Sequence, residues 1–176
     1  MSKVTGPEFA EAVLQEFRLM ADVDHVEEST GHNDGVAVGE IQAACGLGVG
    51  ENWCAATLTV AVIRAAGKLV ISPFPFLPAN ILGTGVIQDN GRVHAWYRAY
   101  KKLGLLSEAK RGRPFLWVKS TLFPTAGHIG DVAEVRDGEF RTIEGNSHNR
   151  VDRRWRDMDE HKWFFLAIDK HPVFKI

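Results

Sequence analysis

The chain contains little cysteine, and its two thiols stand in no recognisable pairing pattern. Cys45 and Cys54 are too few for the disulfide framework of a small secreted domain. Neither belongs to a CxxC pair or to a Cys/His cluster with the spacing of zinc ligands. We therefore expect two free thiols, synthesis in a reducing compartment and no structural metal site.

The chain also lacks a long apolar segment and an excess of charge. Its net charge of −1 gives no reason to expect nucleic acid or an anionic membrane as a partner. The N-terminal residues MSKVTGPEFAEAV lack the basic and apolar regions of a signal peptide, so we expect synthesis in the cytoplasm without one. Two basic clusters, KKLGLLSEAKRGR and RVDRRWR, are interpreted as solvated loops of mixed charge.

What is present is the composition of one globular domain. The chain has 176 residues, of which 45% are hydrophobic, enough for a single core over residues 1–176. Apolar residues at helical spacing predict helices over 8–20, 36–48, 53–66 and 92–104. Asn52 is the expected N-cap of the third helix, and Gly67 its expected stop.

From residue 113 the pattern changes to short segments typical of strands. These segments cover residues 114–123, 127–135, 140–146 and 162–169. Helices followed by strands predict an α+β fold, with an antiparallel sheet packed against the helix that begins near Cys54.

Cys54 stands at the first turn of the predicted third helix, in the sequence ENWCAATLTVAVIRAAG. A cysteine at a helix N-terminus meets unpaired N–H groups and the positive end of the helix dipole, which favour the nucleophilic thiolate. Such a thiolate needs a histidine to carry the proton, oriented in turn by a third polar group. Cys45 has no such setting and is interpreted as a core residue.

His128 is the best candidate for the proton carrier. It begins the strand GHIGDVAEV, and the flanking glycines leave room for a substrate or another side chain. Glu144 and Asn146, in TIEGN, lie two residues apart and are therefore expected on one face of the partner strand. Asn52 could also assist the Cys54 backbone N–H in stabilising an oxyanion, although capping is its expected role.

The order of WCAA, GHIG and TIEGN resembles the CHAP amidase/peptidase group of the papain-like NlpC/P60 superfamily. The resemblance covers roughly residues 25–150 and implies a papain-like fold, in a single catalytic CHAP-like domain. It implies Cys54 as nucleophile, His128 as general base and then acid, Glu144 as the group that orients His128, and Asn146 as a supporting polar residue. The family needs no cofactor for its chemistry, and no DxDxDG-type calcium loop is present.

The resemblance further implies hydrolysis of amide bonds in bacterial peptidoglycan, by an amidase or a peptide endopeptidase. Without a signal peptide, such an enzyme would reach the wall as phage lysis enzymes or injected effectors do. Two alternatives stay open: a papain-like deamidase or peptidase that acts on protein, and a catalytically silent binding domain of the same fold.

The hairpin of residues 127–146 carries a register prediction. A two-residue Asp137-Gly138 turn would pair Asp131 with Glu144 and turn His128 away from the carboxylate. A three-residue loop over 136–138, with Gly138 left-handed, would set Gly130 opposite Glu144. We therefore predict the three-residue loop.

Overall fold

An α+β fold packs its N-terminal helices on a six-stranded antiparallel sheet in the computed structural model, which describes residues 3–118 and 127–175. The predicted α+β class, with helices packed on an antiparallel sheet, is thereby confirmed. The helices are α1 (Gly6–Asp22), α2 (Val36–Ala43), α3 (Cys54–Lys68), α4 (Pro78–Leu82) and α5 (Val93–Lys102). The strands are β1 (Leu106–Ser107), β2 (Pro114–Val118), β3 (Gly127–Arg136), β4 (Glu139–Ser147), β5 (Arg150–Asp157) and β6 (Phe164–Leu166), in the order β1-β6-β2-β3-β4-β5. Residues 119–123 of the predicted strand 114–123 lie outside the described residues.

Helix α1 begins with a capping box and closes one side of the core. Thr5 accepts a hydrogen bond from the Glu8 backbone, and the Glu8 carboxylate accepts one from the Thr5 N–H at 2.7 Å. The apolar positions that predicted this helix are all buried: Phe9, Val13, Phe17 and Met20. In the described part of the chain, no helix is long and apolar enough to span a membrane.

Helix α3 lies in the centre of the fold, buried along most of its length. The predicted cap is wrong: Trp53 holds the N-cap position and no side chain caps the helix. Gly67 lies inside the helix instead of stopping it, since the helix ends at Lys68. Strand β4 approaches α3 so closely that a Cβ at Gly145 would lie 2.0 Å from Oγ1 of Thr57.

The segment between α3 and α5 is irregular but anchored by one buried side chain. It contains α4 and the two short 3-10 turns Phe74–Phe76 and Ile87–Gly91. Asn90 accepts a hydrogen bond from the Ala79 N–H at 2.9 Å, and its carbonyl accepts from Trp96 Nε1 at 2.9 Å. The proline-punctuated segment is thus fixed against α5.

The β3–β4 hairpin has a two-residue turn, so the predicted three-residue loop is wrong. Arg136 pairs with Glu139 across Asp137 and Gly138, but the register shifts at Ala133, and Asp131 pairs with Ile143. The extra residue is accommodated in the strand as a β-bulge instead of in the loop. The register beyond the bulge is nevertheless the predicted one, which sets Gly130 opposite Glu144.

The basic segment RVDRRWR is a strand, and its interpretation as a solvated loop is wrong. It forms most of β5, which follows a two-residue turn at His148 and Asn149, both with positive φ. Such a turn joins antiparallel strands directly. The other basic cluster is only partly a solvated loop, because Arg113 is buried and its Nε donates to Oδ1 of Asp169 at 2.8 Å.

Candidate active site

Cys54 is the first residue of α3 and lies in the wall of a cleft of about 550 Å³. Its side chain is nearly enclosed, with the residue 6% exposed. The loop before α3, the first turns of α5 and part of the segment between α3 and α5 form the other walls. Cys54 therefore lies both at the N-terminus of α3 and in the lining of the cleft.

His128 and Glu144 lie together on the sheet, as the register requires. His128 Nε2 and Glu144 Oε2 are 2.7 Å apart, and the Glu144 side chain is fully buried. The Cys54 thiol also lies close enough to the His128 ring to raise the pKa of the histidine. Because Nε2 faces the carboxylate, Nδ1 is the ring nitrogen left for the sulfur. The structure thus brings three of the predicted site residues into one chain of contacts.

The environment of His128 favours the imidazolium. Burial lowers the pKa of His128, but hydrogen bonds with Cys54 and Glu144, and the charges of both, outweigh it and raise the pKa to about 9. A protonated ring beside the sulfur is what a thiolate–imidazolium pair requires.

Glu144 is held ionised by a residue that the sequence analysis did not identify. Arg156 on β5 donates from Nε to Oε1 at 2.9 Å and from Nη2 to Oε2 at 2.6 Å, and the Thr142 hydroxyl also donates to Oε1. Burial raises the pKa of Glu144, but the bonds to His128 and Arg156 lower it to about 2. The sequence feature that could have revealed Arg156 is the His148-Asn149 turn. Recognising that turn would have predicted β5, the strand on which Arg156 lies.

Among the described residues, the Asn146 side chain bonds to the loop before Cys54 and not to His128, so its supporting role beside the histidine stays a prediction. The strand shifts register between Glu144 and Ser147, and Asn146 takes a left-handed φ of 56°. Its amide donates to Oδ1 of Asn33 at 2.9 Å and of Asn52 at 3.4 Å. Asn146 therefore supports the loop before Cys54, and Asn52 lines the cleft beside that cysteine. An oxyanion role for Asn52 stays a prediction.

Glu28 fixes the approach to Cys54 and was also missed from the sequence. Trp53 Nε1 donates to Oε1 of Glu28 at 2.9 Å, and the Asn33 N–H donates to Oε2 at 2.9 Å. Gln42 adds two bonds from its side chain, to the carbonyls of Asn33 and Glu51. The loop before Cys54 is therefore held by partly buried hydrogen bonds and not by packing alone.

Cys45 is a core residue, as predicted. It is fully buried, and that burial raises the pKa of its thiol to about 11 despite a hydrogen bond with Thr59. Cys45 is thus kept as an unreactive thiol. Among the described residues, no group of three His, Cys, Asp or Glu side chains is placed to hold a metal ion.

The cleft has charged walls. Arg92, His94 and Arg98 of the α5 region line it together with Glu51 and Asp89. His94 and Arg98 are four residues apart and therefore on one face of α5. The sequence analysis assigned no role to these residues.

Comparison with known protein families, curated proteins and solved structures found no match for this chain. The functional argument therefore depends on the chemistry of the site. An enclosed cysteine at a helix N-terminus, beside a histidine that a buried carboxylate orients, is an arrangement suited to nucleophilic attack on a carbonyl carbon.

Proposed function

We propose that this protein is a cysteine hydrolase that cleaves amide bonds through Cys54, His128 and Glu144. The observation that carries the proposal is the grouping of three side chains: Cys54 lines the cleft, the His128 ring lies beside it, and Glu144 Oε2 is 2.7 Å from His128 Nε2. The buried carboxylate is itself held by Arg156, so the array is ordered before substrate binds.

The chemistry follows from the protonation states. The Cys54 sulfur attacks the amide carbonyl carbon, and the oxygen gains the negative charge, close to the N-terminus of α3. The C–N bond breaks as His128 gives its proton to the leaving amine, which leaves a thioester on Cys54. His128 then removes a proton from water, which attacks the thioester carbonyl carbon; the C–S bond breaks, a carboxylic acid leaves, and the Cys54 thiolate remains beside the protonated His128. Glu144 keeps the ring oriented and stabilises its charged form throughout.

The proposed fold family is papain-like, and the proposed substrate is the amide bond of bacterial peptidoglycan. Support comes from the sequence resemblance of WCAA, GHIG and TIEGN to the CHAP group, and from the position of each motif. WCAA opens α3, GHIG opens β3 and TIEGN lies on β4 beside it. The proposal covers either an amidase or a peptide endopeptidase.

The test is digestion of purified peptidoglycan, with the soluble products identified by mass spectrometry. Wild type should release new amino groups, and Cys54→Ala and His128→Ala should release essentially none. Cys45→Ala is the matched control, because it removes the other thiol, which does not line the cleft, and should retain activity.

Three outcomes would contradict the proposal. Hydrolysis retained by Cys54→Ala to even a tenth of the wild-type rate would exclude this nucleophile. If the walls stay intact while protein substrates are cleaved or deamidated, the proposed chemistry is correct but the proposed peptidoglycan substrate is wrong. If no substrate is cleaved and Cys54 reacts with iodoacetamide no faster than an ordinary thiol, the site is catalytically silent.

A further inference from the structure

The cleft that contains Cys54 has one arginine without an acidic partner in the described part of the chain. Arg98 lies on α5 and lines the cleft, yet it takes part in none of the ion pairs or hydrogen bonds among residues 3–118 and 127–175. By contrast, the buried Arg113 and the site residue Arg156 each bind a carboxylate through two nitrogens. An unpaired guanidinium in a cleft presents a planar set of donors that matches a carboxylate.

The two acidic residues of the cleft are already engaged elsewhere. Glu51 Oε2 accepts from the Gly48 N–H at 2.6 Å. Asp89 accepts from the Thr84 hydroxyl at 2.7 Å, and its other oxygen lies 3.8 Å from Arg92 Nη1. Neither carboxylate is paired with Arg98, so no acidic side chain among the described residues of the cleft walls compensates its positive charge.

The rest of α5 reinforces this positive charge. The helix carries no side-chain cap, and its first residues, Val93 and His94, also line the cleft. Its uncapped N–H groups and the positive end of its dipole are therefore on the cleft side. Asp89 is the nearest acidic residue before this helix, and its bond to Thr84 holds it in the preceding turn.

We propose that Arg98 binds a carboxylate of the substrate, so that the enzyme selects amide substrates carrying a free carboxylate near the scissile bond. The inference rests on the proposed hydrolase function and narrows its substrate class. Cys54 then supplies the nucleophile, while Arg98 on α5, which lines the same cleft, selects which amide substrates bind. Arg98 is exposed, so its replacement should not disturb the fold.

The experiment compares four proteins on two substrates. Purified peptidoglycan is used untreated, or after carbodiimide coupling with ammonia has converted its carboxylates to amides. Released amino groups are measured for wild type, Arg98→Gln and Arg98→Lys. The control is Lys101→Gln, which removes one positive charge from the same helix but outside the cleft lining.

Wild type should hydrolyse untreated walls with a kcat/KM roughly tenfold or more above that for amidated walls, the scale of one charge-assisted hydrogen-bonded pair. Arg98→Gln should lose this preference, chiefly through KM on untreated walls, while its rate on amidated walls matches wild type. Arg98→Lys should keep part of the preference, and Lys101→Gln should keep all of it.

The outcomes separate the two proposals. Hydrolysis by wild type with a preference that Arg98→Gln retains overturns the carboxylate site and leaves the hydrolase intact. An equal loss of preference in Lys101→Gln assigns the effect to general attraction between charges and also overturns the site. If wild type hydrolyses neither form of the wall, the proposed function fails and the inference about Arg98 fails with it.

Discussion

Gly130 and Glu144 lie so close together that a Cβ at residue 130 would stand 2.9 Å from Cγ of the glutamate. The same Cβ would lie 2.9 Å from the ring of Phe115 and 2.7 Å from the Ile143 carbonyl oxygen. The second glycine of GHIG therefore makes room for the carboxylate, which agrees with the expectation from the hairpin register.

Gly130→Ala should destabilise the protein by roughly 1–3 kcal/mol and lower hydrolysis, because the added methyl group displaces Glu144 or the neighbouring backbone. The measurement is urea unfolding combined with kcat/KM. Gly67→Ala is the matched control, since nothing lies within 4 Å of its Cβ position, and it should stabilise the helix by a few tenths to about 1 kcal/mol. A Gly130→Ala protein as stable and active as wild type would contradict the steric argument.

Arg156 should act as a positioning residue. Arg156→Gln removes the bidentate hydrogen bonds that hold the Glu144 carboxylate. We therefore expect kcat to fall by roughly 10-fold or more, but by less than in His128→Ala. Arg154→Gln is the control, because that side chain lies on the same strand but contacts His148. A merely structural role would lower stability without moving the pH profile of hydrolysis. The unfolding free energy and the pH profile of kcat are therefore both measured for each variant. An unchanged profile in Arg156→Gln would exclude the positioning role.

The pH profile of hydrolysis should report His128. With its pKa raised to about 9, the histidine stays protonated through neutral pH, and kcat/KM should decline as the pH rises through about 9. Glu144→Gln removes a carboxylate that raises this pKa, so the decline should move to lower pH by roughly one unit or more. Glu134→Gln, which removes an exposed carboxylate from the same strand as His128, should leave the limb in place. If Glu144→Gln does not shift the decline in kcat/KM, a group other than His128 causes that decline.

Asp131 should make stability depend on pH for a reason unrelated to catalysis. It is fully buried, one oxygen accepts the Val132 N–H at 2.7 Å, and the other has no partner within the described residues. Burial raises the pKa of Asp131 to about 8. The folded protein therefore binds a proton that the unfolded chain releases above pH 4, and this carboxyl should lower stability progressively between about pH 4 and 8.

Asp131→Asn should remove this dependence, because it cannot ionise. Its unfolding free energy should exceed that of wild type by roughly 1–3 kcal/mol above pH 8, and the difference should shrink as the pH falls to 4. Chemical unfolding of both proteins at several pH values measures it. A difference that stays constant over that range would show that the buried oxygen remains neutral or finds a partner.

The parts of the site that local pattern determines could be predicted from the sequence. A cysteine at the start of an apolar run gave the place of Cys54, and the glycines of GHIG indicated a crowded strand. The pairing of His128 with Glu144 required only the alternation of side chains and the correct register. These features depend on residues that are neighbours along the chain or across one hairpin.

The parts that were missed depend on contacts between distant segments or on small irregularities. Glu28 meets Trp53 across 25 positions, and nothing in either sequence segment indicates that pairing. Asn146 departs from strand alternation because a second register shift lies just after Glu144. Arg156 was hidden because the many charges of its strand obscured the β pattern, although the Asn149 turn could have revealed it.

The bulge at Ala133 adds one unpaired residue to β3, so the number of residues in this strand can vary. Ala133 is the residue without a partner between Val132, which pairs with Thr142, and Glu134, which pairs with Arg141. Deleting one residue here would straighten the strand and leave those two pairs adjacent, with His128 still facing the carboxylate. The deletion would cost the hydrogen bond that the Ala133 carbonyl accepts from Arg111 at 2.7 Å. Shortening by one residue is therefore tolerable to the catalytic register, whereas lengthening by one would require a further irregularity to absorb it.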